Sequence, residues 1–271
     1  MHDDYLIRKL WSLSEDDIKT LLVGGLRLEE ENVRELLKEE LVLLCSQELR
    51  AAAGSTIRGT FRGPHEFPYK QILIDVADKL KEGWTPLSWS KYHLDDEYSE
   101  QEIENDIVNL FEERSRKWWK SLSDEKKAEF TGDINATFSK AVEFGAKGSK
   151  KIFVTQQILE SLFQNGVIFG LGKMAGTGLL GTIGVSAVGQ FGWVILIHTV
   201  GWITGLKIAV FGIGGMGVLG GAVSFVGATA VSAALSIPGL LMFADGAAYR
   251  KTVPTMLMLL ARNRIGNAVA L

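Results

Sequence analysis

Tyr69-Lys-Gln-Ile72-Leu73-Ile-Asp75-Val76-Ala77-Asp-Lys-Leu80 is the stretch on which the fold class turns. Tyr69, Ile72, Leu73, Val76, Ala77 and Leu80 recur at i, i+3, i+4, i+7, i+8 and i+11, the spacing of one buried helix face. Period-two alternation, the mark of a half-buried strand, is missing. Gly83 predicts the end of this helix. Upstream, Arg58 to Pro68 holds Gly59, Gly63, Pro64 and Pro68 and reads as a loop. Farther back, Glu29 to about Ala53 predicts a helix with Val33, Leu37, Leu41, Leu44 and Leu49 on one face. Cys45 falls inside that pattern as a small buried residue. Ser14-Glu-Asp-Asp17 is a cap followed by three acids, which suit the positive end of a helix, and Ile18, Leu21 and Leu22 give it an apolar face.

Downstream, Trp84 to Tyr98 is an irregular, aromatic and acidic connector. Ser99-Glu-Gln-Glu102 is a capping box, and Ile103, Ile107, Leu110, Phe111 and Trp118 continue one face. Ser123-Asp-Glu starts another helix through Phe130, Ile134, Phe138 and Val142. No run alternates convincingly, so the expected class is all-α.

Farther outward the composition changes. Of 29 basic and 32 acidic side chains, residues 1–151 hold 23 and 30, and residues 152–271 hold 6 and 2. Twenty of the 30 glycines lie between Gly166 and Gly246. Gly145 to Lys151 reads as a short linker, which divides the chain into a helical domain, 1–150, and a glycine-rich hydrophobic domain, 151–271. Met174 to Leu206 and Ile208 to Ala244 run for 33 and 37 residues without a formal charge. A helix needs about 20 largely apolar residues to cross a bilayer. Each stretch is therefore long enough for a tilted span, and together they predict a membrane-inserting helical hairpin. Trp193 and Trp202 suit its interfaces and Lys207 its solvent-facing turn. Small residues favour close helix packing in lipid, and Thr182, Ser186, Gln190, Thr199 and Thr204 are candidates to face a polar lumen. Lys147, Lys150 and Lys151 before the unit, with Arg250, Lys251, Arg262 and Arg264 after it, predict both ends on the cytoplasmic side. The alternatives are a permanently buried apolar hairpin, or one sheltered in a soluble form until a trigger inserts it. Lys151 to Lys173 and Val253 to Ala261 each admit two readings, a helix at the membrane surface or an ordinary docked helix.

The same composition excludes several classes. One cysteine rules out a disulfide framework and a multi-cysteine zinc site. A net charge of −3 argues against a general nucleic-acid binder. The acidic start, Met1-His-Asp-Asp-Tyr5, lacks the form of a secretory signal. Gly212-Ile-Gly214-Gly215-Met-Gly217 matches GxGxxG, but no acid follows until Asp245 and no strand–helix alternation surrounds it. His65-Glu66 lacks the second histidine of a zinc-protease helix, and His93, Asp95, Asp96 and Glu97 match no calcium loop. His198 stands alone in apolar surroundings and reads as a packed or pore-facing polar group. No catalytic constellation, cofactor or metal site is expected.

Arg62-Gly63, then Tyr69-Lys-Gln-Ile72-Leu73-Ile-Asp75-Val76 and Leu80, resemble the YaaW-type family of uncharacterised bacterial proteins, whose pattern runs R-G-x-G-x-x-Y-x-x-I-L-x-D-V and then L. Pro64-His-Glu-Phe-Pro68 replaces the glycine-containing spacer and is one residue longer. The likeness continues from Glu102 to Phe130, including Trp118, Trp119 and Asp124-Glu125. It resumes at Gly246-Ala-Ala-Tyr249-Arg250-Lys-Thr252-Val253-Pro254. The helical region of that family is similar to the ubiquinol–cytochrome c chaperone domain, which implies an assembly role at a respiratory membrane. Tyr5 to Val23 also resembles a short helical module at the start of bacterial effector or stress proteins. The family brings no catalytic residues. Arg62 and Asp75 read as a structural ion pair.

Two functions follow as expectations, both non-enzymatic. The first is an oligomeric pore-forming or membrane-perturbing effector, of toxin or defence type, at the bacterial inner membrane with a cytoplasmic helical part. Its partners are the lipid bilayer and further copies of itself. The second is a membrane-protein assembly factor that binds a client through its helical domain.

Overall fold

The computed structural model describes residues 5–54, 67–81, 97–143, 153–168, 194–196, 198–200 and 249–269. These are mostly helical, and no strand occurs among them. The principal helices are α1 (Tyr5–Trp11), α2 (Glu15–Thr20), α3 (Lys38–Gly54), α4 (Tyr69–Leu80), α5 (Glu100–Ser121), α6 (Asp124–Glu143), α7 (Gln156–Asn165) and α8 (Tyr249–Val269). Two compact units divide the chain: Met1–Phe111 with Ile237–Leu260, and Glu112–Ser236 with Ala261–Leu271. Both units draw residues from either side of residue 150, where the composition changes. The expected linker, Gly145 to Lys151, lies outside the described residues, as does most of Trp84 to Tyr98.

In the first unit, local signals set the helix starts. The Ser14 hydroxyl accepts from Asp17 N–H at 3.2 Å, and the Asp17 carboxylate accepts from Ser14 N–H at 3.3 Å. This reciprocal pair satisfies two donors that have no partner inside α2. Ser99 and Glu102 repeat the arrangement at α5, at 3.3 and 2.8 Å. The helix expected from Glu29 instead begins at Lys38. Glu40 reaches back to accept the Leu37 N–H at 2.8 Å, so the start is fixed there, and a short 3-10 turn occupies Glu30–Asn32. Leu37 is consequently 66% exposed rather than core. The buried face of α3 is Leu41, Val42, Cys45, Leu49 and Ala53.

Helices α1, α2 and α4 pack against α3. The predicted face of α4 is buried in full. Thr252 to Leu260 of α8 form an unbroken buried run, the mark of a helix surrounded by protein. Pro254 lies inside this helix, where it removes one backbone hydrogen bond. A π-turn, Leu21–Gly25, prolongs α2 and comes against α8. A Cβ at Gly25 would collide with the Thr255 hydroxyl and the Met258 methyl. Of the two readings of Val253 to Ala261, the described contacts are those of a docked helix.

The second unit is built on aromatic packing. Trp119 stacks on Phe163 at 4.5 Å between centroids and 8° between planes. Phe130 meets both edge-on. Trp119, not Trp118, is the fully buried indole; Trp118 is half-buried and meets Phe130 and Phe163 edge-on. Leu159, Leu162 and Phe163 are the buried face of α7, which packs on α6 as a docked helix. Among the described residues no helix is long and apolar enough to cross a membrane.

Candidate functional site

The buried stripe of α5 is not wholly apolar. It runs Ile103, Glu104, Ile107, Val108, Phe111, Glu112, Ser115 and Trp119. A buried carboxylate is costly unless charged or hydrogen-bonding partners satisfy it. Glu104, in the first unit, accepts from the Tyr69 hydroxyl at 2.8 Å and from Lys9 Nζ at 2.8 Å. Burial, with the Glu104 charge beside it, pushes the Tyr69 phenol well above its ordinary range, so Tyr69 is a fixed donor. Lys9 also lies over the Tyr5 ring, and the Tyr5 hydroxyl donates to Gln101 at 2.9 Å. The cluster ties α1, α4 and α5 together.

Glu112, in the second unit, takes a main-chain partner. Its Oε1 accepts the Ile168 N–H at 2.6 Å. The chain reaches it through Gly166, whose φ of 91° favours glycine. A Cβ there would lie 2.7 Å from the Glu112 carboxylate. Arg116 Nε donates to the Gln164 carbonyl at 3.3 Å and holds the end of α7. At the other end of α7, the Asn135 amide brackets Val154, donating to its carbonyl at 2.9 Å and accepting its N–H at 2.8 Å. The Thr155 hydroxyl then caps the helix by accepting from Ile158 N–H. Trp119 Nε1 donates to Glu160 at 2.6 Å, which holds that carboxyl below its ordinary range.

The part of the first charge-free stretch that the structure describes, 194–196 and 198–200, is helical and buried. His198 is 2% exposed and lies 3.1 Å from Thr137 Oγ1 through Nε2 and 2.8 Å from the Val194 carbonyl through Nδ1. The Thr137 hydroxyl also reaches the Asp133 carbonyl, to which it donates at 3.0 Å. Two helices of the charged half, α5 and α6, thus grip the chain at Ile168 and again at His198.

The other predicted positions are distributed as follows. Thr199 is buried and its hydroxyl donates to the Ile195 carbonyl at 2.7 Å. Tyr69 joins the Glu104 cluster. Asp75 is buried and accepts from Gln71 Nε2 at 2.9 Å. Arg62 and Gly63 lie outside the described residues, and so does the expected Arg62–Asp75 pair. Tyr249 is buried beneath Lys79, whose Nζ is 4.2 Å from the ring centroid. Arg250 and Pro254 are residues of α8. Thr182, Ser186, Gln190, Trp193, Trp202, Thr204 and Lys207 lie outside the described residues. No group of three or more metal-ligating side chains occurs among the described residues. Sequence reasoning missed Glu112, Asn135 and Thr137. The available signal was an acid at position 112 on an apolar stripe, directly after Phe111. Searches of family models, curated proteins and solved structures find no match to the chain.

Proposed function

We propose that this is a YaaW-type, non-enzymatic protein that carries a glycine-rich apolar segment sheltered on its helices and commits that segment to a bacterial inner membrane. There, copies associate and perturb the bilayer or form a pore. The helical part remains cytoplasmic. The observation that carries the reading is the pair of charge-free runs, 33 and 37 residues long, in a chain whose other half is densely charged. Burying an ionisable group in lipid is expensive, so a membrane-seeking segment is depleted of charge in this way. The seating of His198 and Ile168 on α6 and α5 supports the sheltered form. Glycine density supports close helix–helix approach once the segment is in lipid.

The test is dye release from vesicles containing phosphatidylglycerol, with carbonate extraction of membranes from expressing cells. The reading expects concentration-dependent release and retention through carbonate. Sealed vesicles, complete carbonate extraction and an unchanged membrane potential in expressing cells would overturn it. A stoichiometric membrane-protein client recovered under those conditions would favour the assembly-factor reading instead.

A further inference from the structure

We propose that Glu112 and Thr137 are the two catches of a latch that keeps Gly166–Ile168 and the described residues of 194–200 on α5 and α6, and that opening it precedes membrane engagement. The proposal rests on the membrane reading for its purpose, but the latch is testable without lipid.

Three features mark these contacts as a device rather than ordinary packing. Each catch is polar and buried: Glu112 is 4% and Thr137 is 3% exposed. Losing a partner costs a buried carboxylate more than it costs a hydroxyl that keeps a second acceptor, so the two contacts differ in strength. Both catches reach across the sequence, by 56 residues to Ile168 and 61 to His198, and both close on the same glycine-rich region. The first is also sterically prepared. Gly166 at φ 91° places the backbone where any side chain would collide with the carboxylate. The Glu112 charge bonding a backbone N–H is the stronger catch, since charge-assisted bonds exceed neutral ones. The second is weaker. The Thr137 hydroxyl has one proton and two acceptors in reach, His198 Nε2 and the Asp133 carbonyl at 3.0 Å. It can turn to Asp133 when His198 departs, so release leaves the threonine satisfied. The order of opening follows: 194–200 leaves before Ile168.

The experiment is hydrogen exchange read by mass spectrometry on the full chain, without lipid, for wild type, Thr137→Val and Glu112→Gln. Thr137→Val removes the hydroxyl at constant shape. It is expected to speed exchange in 194–200 roughly tenfold, with α1–α4 unchanged. Glu112→Gln is expected to speed exchange at 166–168 by a larger factor. Unchanged exchange in both segments overturns the latch. A uniform rise across the whole chain also overturns it, since the effect would be global destabilisation. Should Glu112→Gln fail to fold, Thr137→Val alone decides. The same proteins are then added to phosphatidylglycerol vesicles. Faster exchange with faster dye release supports the latch and its purpose. Faster exchange with sealed vesicles supports the latch and removes the membrane reading.

Discussion

Glu104 and Glu112 lie eight residues apart on the buried stripe of α5, one in each compact unit. Glu104 takes an ammonium and a phenol, both from side chains on helices whose own faces are buried around it. Glu112 takes a backbone N–H from the threshold of the glycine-rich region. Both contacts satisfy a carboxylate, but they fix different things. The first locks three helices through their side chains. The second holds a stretch of main chain whose own side chains carry no charge. A buried acid can therefore serve as a permanent tie or as a releasable one, according to what the partner is attached to.

The largest expected effect tests the permanent tie. Glu104→Ala leaves Lys9 without its buried counter-charge and Tyr69 without an acceptor, and is expected to cost about 3–5 kcal/mol. Urea unfolding followed by circular dichroism measures it. Glu104→Leu combined with Lys9→Met and Tyr69→Phe should recover most of that loss, because the orphaned groups are removed together. If the triple variant is no more stable than Glu104→Ala, the cluster is held by something other than satisfaction of its polar groups.

Gly166→Ala sharpens the other side of the comparison. It strains a backbone at φ 91° and puts a methyl against Glu112. The expected loss is about 1–3 kcal/mol, measured in the same unfolding experiment. A loss confined to the exchange of 166–168, with little change in the global midpoint, would show that this region opens independently.

Alkaline pH provides a smaller perturbation on the Glu104 side. Burial pushes the Cys45 thiol up to about 12 from an ordinary 9.0. A raised folded pKa contributes stability that is complete below the unfolded value and is lost as pH rises towards the folded one. The loss should therefore begin near pH 9 and reach on the order of 1 kcal/mol by pH 10. Tyr69, also raised, adds to it above its ordinary 10.0. Denaturant midpoints at pH 8 and pH 10, for wild type and Cys45→Ala, measure the difference. An identical alkaline loss in Cys45→Ala would remove the thiol as its source.

The two glutamates also show how far the sequence could be read. Ser14 as a cap and Ser99 with Glu102 as a capping box were legible because each acts within three residues; the return bond from Asp17 to Ser14 is added by the structure. The face of α4 was legible because periodicity is local. Glu112 and Thr137 were not, since their partners stand 56 and 61 residues away and no pattern along the chain joins them. Trp118 and Trp119 illustrate the same limit. Both fit near one helix face and both meet Phe163, 44 positions beyond Trp119, but only Trp119 stacks on it. The start of α3 was missed for a local reason, the side chain of Glu40 reaching back to Leu37.

The smallest expected effect is a gain. Arg27 follows the π-turn that prolongs α2 and has φ 63°, in the left-handed region. The Leu28 N–H reaches back to the Leu22 carbonyl at 3.0 Å, so the chain is required to reverse here. Helix ends of this kind usually place glycine at that position, because a Cβ crowds the carbonyl that follows. Arg27→Gly relieves the crowding but gives the unfolded chain more freedom, and the two effects oppose each other. Relief is worth about 1–2 kcal/mol, while the added freedom costs up to about 1, so a net gain of about 0.5–1 kcal/mol is expected. The gain should appear as a higher urea midpoint with an unchanged slope. A lower midpoint would mean that the Arg27 side chain stabilises this corner by more than its backbone strains it.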